Sequence, residues 1–423
     1  MILAGDLLSS LRSVTISQVT TDLQPVPQRV PPINLLTGLR FFLAFYVVLF
    51  HFSLRYFSTS PLPVLSFFSA GYSAVSMFFA LSGFVLAYNH LDGHPIDLKH
   101  FWTARAARLV PAFLVSEILI VAFLLKIQRH DHAPLVPFLQ FLFRELVISC
   151  GFLQAWFPIQ AINAPAWTLS CEVFFYLVFP LIALPIARLN KSRLRIACLV
   201  FALLSLTAPL LYLLSNPDGI SLAHLTERLY VFPTNDASLG ALRAALDTTK
   251  RFRFFSFLPL AHLPIFLLGA GIGRYRRAFL SDQANRPTHQ VGLLLSVGAL
   301  LGLLCFSANV PELLMHDSLV GILFSLCLLF CESTPRPLRD FLETKPLLLL
   351  GEASYALYIL QWPFVMWWSP LIFHFHKQFH GETIGKPIFL LVIVFSSVAV
   401  YKWVEHPARL RIRRLAYGVK PAA

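Results

Sequence analysis

Ten apolar stretches, most of them near twenty residues long, leave this chain little choice of solvent other than a lipid bilayer. They run at about 34–55, 64–90, 108–127, 166–187, 196–214, 257–273, 291–309, 318–332, 347–369 and 387–405. Crossing a hydrocarbon layer of about 30 Å takes roughly 20 predominantly apolar residues in an α-helix. The expected fold is therefore all-α, a polytopic membrane protein with about ten transmembrane helices. The eighth stretch is short, and the second and ninth are long enough to tilt or break. With 57% apolar and 13% charged residues, the chain could not clothe a water-facing surface.

The net charge of +13 invites a nucleic-acid reading, but the basic residues form no single tract. They recur in short clusters between apolar runs, the pattern of loops facing an anionic inner leaflet. The partner this implies is the lipid bilayer, not nucleic acid. With both termini inside, 23 of the 34 Lys and Arg residues fall in cytoplasmic loops or at inner helix ends. That is the positive-inside bias, and it predicts an N-in, C-in topology. Residues 128–165 then lie outside, and their apolar piece LVPFLQFLFRELVISCGFL reads as a re-entrant or interfacial helix. Residues 215–256, polar and ending near Lys250, Arg251 and Arg253, form the main external loop. The domain division is a polar cytoplasmic tail (1–32) without a secretory signal, a transmembrane domain (33–410) and a basic cytoplasmic tail (411–423). The six cysteines sit in or beside apolar segments as small hydrophobes. No metal-ligand motif or disulfide framework surrounds them.

Ionisable residues inside such spans are costly and usually face a bundle interior or a wet cavity. The first span, INLLTGLRFFLAFYVVLFHF, carries Arg40 and His51. Eleven steps of about 100° bring them within roughly 20° of one face, about 16 Å apart along the axis. Snorkelling to the nearest interface would explain each alone. FWTARAARLVP opens the third span with Arg105 and Arg108, neighbours on one face whose forked guanidinium groups suit phosphate oxygens. The alternative there is topology, since arginines before a span keep a loop inside. APAWTLSCEVFFYLVFP offers Glu172 near the outer end of the fourth span and Trp167, a residue suited to an interface belt. A carboxylate at that depth could partner His51, or simply reach water from a helix end. Glu117 is a further buried acid to which no role attaches. GEASYALYILQWPF, with Tyr355 and Gln361, and SGF, beginning at Ser82, have small faces that also serve close helix packing.

In order along the chain these segments read Arg40-x10-His51, FFALSGFVLAY (78–88), Arg105-x-x-Arg108, WTLSCEVFFYLVFP (167–180), FLLG (266–269), SYALYILQWP (354–363) and YKWVEHPARL (401–410). Together, from about residue 33 to 410, they resemble the acyltransferase family 3 membrane proteins, bacterial O-acyltransferases that decorate surface sugars and some small molecules. Relatives commonly have a second acid where this chain has Val173, and His before the Trp-Pro of the ninth span where it has Gln361. Glu172 is thus the motif's remaining acid, and Gln361 inherits at most a hydrogen-bonding part. Some relatives carry a hydrolase-like domain after the last span; none is expected here.

The resemblance implies a multi-pass enzyme of the bacterial cytoplasmic (inner) membrane, transferring an acyl group, usually acetyl, from cytoplasmic acyl-CoA to a hydroxyl on the periplasmic side. The acceptor it implies is a cell-surface polysaccharide or lipopolysaccharide sugar, with a small molecule as the other possibility. No tightly bound cofactor and no metal is expected. His51 is the expected general base. Arg40 either binds donor phosphate or polarises the thioester carbonyl, and Glu172 either orients His51 or binds the sugar. Arg105 and Arg108 take donor phosphate, and Trp167, Ser82, Tyr355 and Gln361 complete the substrate-binding set. A covalent acyl-histidine and direct attack are both open. A transporter or flippase of acylated or glycan precursors is the competing reading, compatible with buried Arg, His and Glu.

Overall fold

The computed structural model describes residues 33–57, 63–91, 93–131, 134–157, 162–215, 254–280, 286–379 and 381–417. Side chains of 52–57 and of most of 369–386 fall outside that description, as do the expected tail 1–32 and most of the expected loop 215–256. The described residues are helical, with no strand among them.

Among the described residues eight helical stretches are long and apolar enough to cross a membrane, and the chain is a multi-pass membrane protein. α1 (Asn34–Phe57) is the Arg40–His51 helix. The second span is broken: α2 (Pro63–Ser69) passes through a 3-10 turn into α3 (Ala74–His90). α4 (Leu98–Asp131) begins well before the expected 108. At about 1.5 Å per residue its 34 residues reach about 51 Å, so it tilts or projects beyond the hydrocarbon. α5 (Leu135–Cys150) is the uncertain apolar piece, a 16-residue helix that exposes Leu139, Phe143 and Val147 and buries Leu142, Glu145 and Ser149. α6 (Trp167–Ala187), α7 (Lys191–Ser205), α8 (Thr207–Ser215), α9 (Pro259–Phe279) and α10 (Pro287–Cys305) follow. The short eighth stretch is a π-helical turn (Met315–Leu319) leading into the ten-residue α11 (Val320–Leu329). After α12 (Arg336–Leu342), the ninth stretch breaks at Ala353 between α13 (Lys345–Glu352) and α14 (Ser354–Phe379). α15 (Gly381–Val400) continues through a π-helical turn (Tyr401–Glu405) into α16 (His406–Tyr417), so the expected basic tail begins as helix.

Apolar side chains point outward where a water-soluble fold would place charge: Ile196, Leu199 and Leu203 on α7, Leu294 and Leu295 on α10, Phe395 on α15. Lipid is the solvent such faces suit. Between helices the hydrophobic effect is weak in lipid, and close backbone approach takes its place. α9 lies along α3. A Cβ added to Gly269 would fall on the carbonyl of Ala80, and one on Gly83 on the carbonyl of Phe266. We therefore expect Gly269→Leu to prevent accumulation of monodisperse protein in detergent. Gly298→Leu, whose Cβ meets nothing within 4 Å, should leave the elution profile and thermal midpoint unchanged.

The end of α9 ties several helices together through arginine. Arg274 donates to the carbonyls of Leu91 (3.0 Å) and Ala187 (2.8 Å), Arg277 to Tyr88 (2.9 Å) and Arg276 to Leu329 (2.7 Å). Arg276, 2% exposed, also pairs with Glu332. These carbonyls belong to the ends of α3, α6 and α11, where the last turns lack intrahelical donors.

Candidate functional site

Two adjoining cavities lie where α1, α3, α4, α6 and α14 meet. The first, about 310 Å³, is lined by Arg40, Ser82, Arg105, Arg108 and Glu172 with apolar residues of α3. The second, about 520 Å³, is lined by Arg108, Glu172, Thr168, Ser354, Tyr355 and Tyr358 among aromatic and aliphatic neighbours. Phe78, Arg108 and Glu172 line both and form their common wall. Three arginines from two helices thus converge on one carboxylate.

Each guanidinium has a local reason for its place. Arg105 lies between the rings of Phe101 (5.6 Å) and Tyr176 (5.8 Å), a cation–π arrangement that holds charge off bulk water. Tyr176 donates to Glu172 Oε2 at 3.3 Å and shares a further hydrogen bond with Ser82. Arg108 is attracted by Glu172, Glu405 and Glu352. Arg40 and Arg108 repel each other, offset in part by Glu172 and Glu352. Tyr355 is bound away from the cavity, donating to the Leu109 carbonyl at 2.7 Å, and Tyr358 donates to that of Pro165 at 3.3 Å. Their rings line the wall while their hydroxyls pin α14 to its neighbours.

His51 lies outside the lining of both cavities, farther along α1. Its Nδ1 is 3.0 Å from Gln361 Oε1, and Gln361 Nε2 donates to the Tyr358 carbonyl at 2.8 Å. The second bond fixes the amide: its nitrogen is committed to a carbonyl, so its oxygen faces the imidazole. An amide oxygen can only accept. Nδ1 is therefore the donor in this contact, and the ring has a further hydrogen bond to the Val47 backbone one turn back. Gln361, 1% exposed, does for His51 what Glu172 was expected to do.

Of the parts expected for Glu172, orienting His51 falls instead to Gln361, and Glu172 faces the arginines and Tyr176. Trp167 lines neither cavity: its ring packs against Phe257 (4.7 Å), His262 (5.3 Å), His316 (5.6 Å) and Phe79 (6.1 Å). Arg40, Arg105, Arg108, Glu172, Ser82 and Tyr355 do come together at the cavities. Tyr176, Tyr358, Glu352 and Glu405 are participants that the sequence does not single out, although Tyr176 stands four residues after Glu172, a spacing that signals a shared face. Glu117, 3% exposed, has a structural task, accepting from Ser149 (2.9 Å) and Asn163 (3.2 Å) and so tying α4 to α5 and to the segment before α6. Among the described residues no three His, Cys, Asp or Glu side chains are grouped to hold a metal ion.

A family model described as an acyltransferase domain matches residues 33–402. Acyltransferase MdmB of Streptomyces mycarofaciens is 26% identical over 416 residues, covering 94% of this chain and 97% of its own length. The putative peptidoglycan O-acetyltransferase YrhL of Bacillus subtilis is 22% identical over 401 residues, 88% of this chain and 54% of its own. O-acetyltransferase OatA of Staphylococcus aureus is 22% identical over 400 residues, 88% of this chain and 57% of its own. The chain thus spans about half the length of the last two. No solved structure matches it.

Proposed function

The chain belongs to this acyltransferase family, and from that premise we propose that it moves an acetyl group from cytoplasmic acyl-CoA to a hydroxyl of a cell-surface polysaccharide or lipopolysaccharide sugar across the bacterial inner membrane, with both termini inside. One observation carries the reading: an imidazole oriented by Gln361 stands on the same helix as an arginine-lined cavity.

The donor's phosphates lie against Arg105 and Arg108, and its thioester extends on a flexible arm toward His51. His51 takes the proton of the acceptor hydroxyl as the hydroxyl oxygen attacks the thioester carbonyl. The tetrahedral intermediate collapses, the C–S bond breaks, and the proton passes to the leaving thiolate. Arg40, about 16 Å from His51 along the α1 axis, is too far away to polarise that carbonyl, and its place in the cavity with Arg105 and Arg108 supports phosphate binding. Glu172 acts as the counter-charge that keeps the arginines apart and in register.

The test is transfer itself. Inverted vesicles given isotope-labelled acetyl-CoA and a glycan acceptor should yield label bound covalently to the acceptor. Label that crosses unreacted would make the protein a transporter and end the enzymatic reading. A smaller effect is expected from Gln361→Leu. The imidazole then loses its side-chain acceptor and keeps only the Val47 backbone, a loss of order 1–3 kcal/mol, so kcat should fall about tenfold in folded protein.

A further inference from the structure

We propose that the arginines of α16 complete the donor site, Arg409 and Arg413 binding a phosphomonoester at the end of the donor remote from its thioester, beyond the reach of Arg105 and Arg108. This rests on the reading that the donor is a phosphorylated thioester. The motif YKWVEHPARL supplied no chemistry to the mechanism above, yet its geometry is specific. The π-helical turn Tyr401–Glu405 leaves Lys402 and Trp403 exposed and turns Glu405 inward to 2% exposure. Such turns are uncommon and concentrate at functional sites. Residues four and eight positions after Glu405 share its helix face, and they are Arg409 and Arg413. α16 packs against α4, and Glu405 on this face acts on Arg108 of α4. Arg411 and Arg414, by contrast, are exposed.

The facing surface of α4 is itself cationic. Arg409 and Arg413 both act on Arg105, which belongs to the smaller cavity. Glu352 takes part of the charge, 3.6 Å from Arg409 and in reach of the Tyr401 hydroxyl at 3.4 Å. Among the described residues, Arg40, Arg105, Arg108 and Arg409 gather around this corner with Glu172, Glu352 and Glu405, and Arg413 acts on the same Arg105. Arginines crowded to that degree repel one another unless an anion lies among them. Forked guanidinium groups are the side chains that match phosphate oxygens in pairs. Coenzyme A carries a diphosphate near its arm and a separate phosphomonoester on the ribose. A two-arginine site on α4 suits the first, and a second pair on the adjoining helix suits the other.

The experiment compares acetyl-CoA with 3′-dephospho-acetyl-CoA as donors, in vesicles carrying the full chain. Wild type should show a KM at least about tenfold lower for the complete donor, the scale of one charge-assisted contact. In Arg409→Gln with Arg413→Gln that preference should fall close to one with kcat for the complete donor little changed. Arg411→Gln with Arg414→Gln removes the same charge from the same helix and should keep the preference. If the first double variant does not accumulate, Arg413→Gln alone and Arg409→Lys with Arg413→Lys serve, each with a reduced preference. A preference retained in the Arg409/Arg413 variants, absent from wild type, or lost equally in the Arg411/Arg414 variant overturns the inference. In those cases a raised donor KM in Arg105→Ala would leave the acyl-CoA reading standing. Transfer that needs no thioester donor at all would overturn both.

Discussion

His51→Ala should remove acyl transfer while leaving folded protein in the membrane. The loss expected of a general base is about 10²- to 10⁴-fold in kcat, and a carboxamide beside the empty position cannot replace it. The structural cost is smaller. Removing the imidazole leaves Gln361 Oε1 without its described donor, a penalty of about 1–3 kcal/mol, and the amide stays anchored through the Tyr358 carbonyl. The two effects are separable. Thermal midpoint and elution profile should stay near wild type while labelled acetyl no longer reaches the acceptor. Donor affinity should also survive, because His51 lies outside the lining of the arginine cavity. Wild-type transfer in folded His51→Ala would sink the mechanism. Loss of donor binding along with transfer would relocate His51 from the reaction to the donor site.

The parts of this site that were legible beforehand are those set by one helix at a time. Apolar length marked the spans, and helical period put Arg40 with His51 and Arg105 with Arg108 on common faces. What escaped depends on how helices rotate and slide against each other. Topology sets Glu172 and His51 both near the outer leaflet and so makes them one candidate pair, yet a carboxylate five residues into α6 can face any of several neighbours. Packing turns it toward Arg108 and brings α14 to α1, so that two residues 310 positions apart form the decisive hydrogen bond. The replacement of an expected His by Gln361 looked like a departure that weakened the site. In place it is a fixed acceptor that orients the imidazole. Trp167 stands apart from both cavities for a similar reason: its place at the start of a span does not specify that its ring packs against Phe257, His262 and His316.

Arg108 should be the least replaceable of the arginines, because it alone among them lines both cavities and is attracted by three carboxylates, Glu172, Glu405 and Glu352. Removing one partner from a buried set of charges costs about 3–5 kcal/mol, since the others are left without compensation. Arg108→Met is therefore expected both to lower the thermal midpoint by several degrees and to abolish donor-dependent transfer. The two consequences have different remedies. Adding Glu172→Gln to Arg108→Met removes one stranded carboxylate and should recover much of the midpoint, with no return of activity, because the phosphate-binding fork is still absent. Arg108→Lys keeps the charge but not the fork; it should fold like wild type and show a donor KM raised about tenfold with a smaller change in kcat. Equal midpoints for wild type and Arg108→Met would mean that the carboxylates do not depend on this cation. An unchanged donor KM in Arg108→Lys would leave Arg108 a structural counter-ion, and the phosphates would then have to be held by Arg40 and Arg105 alone.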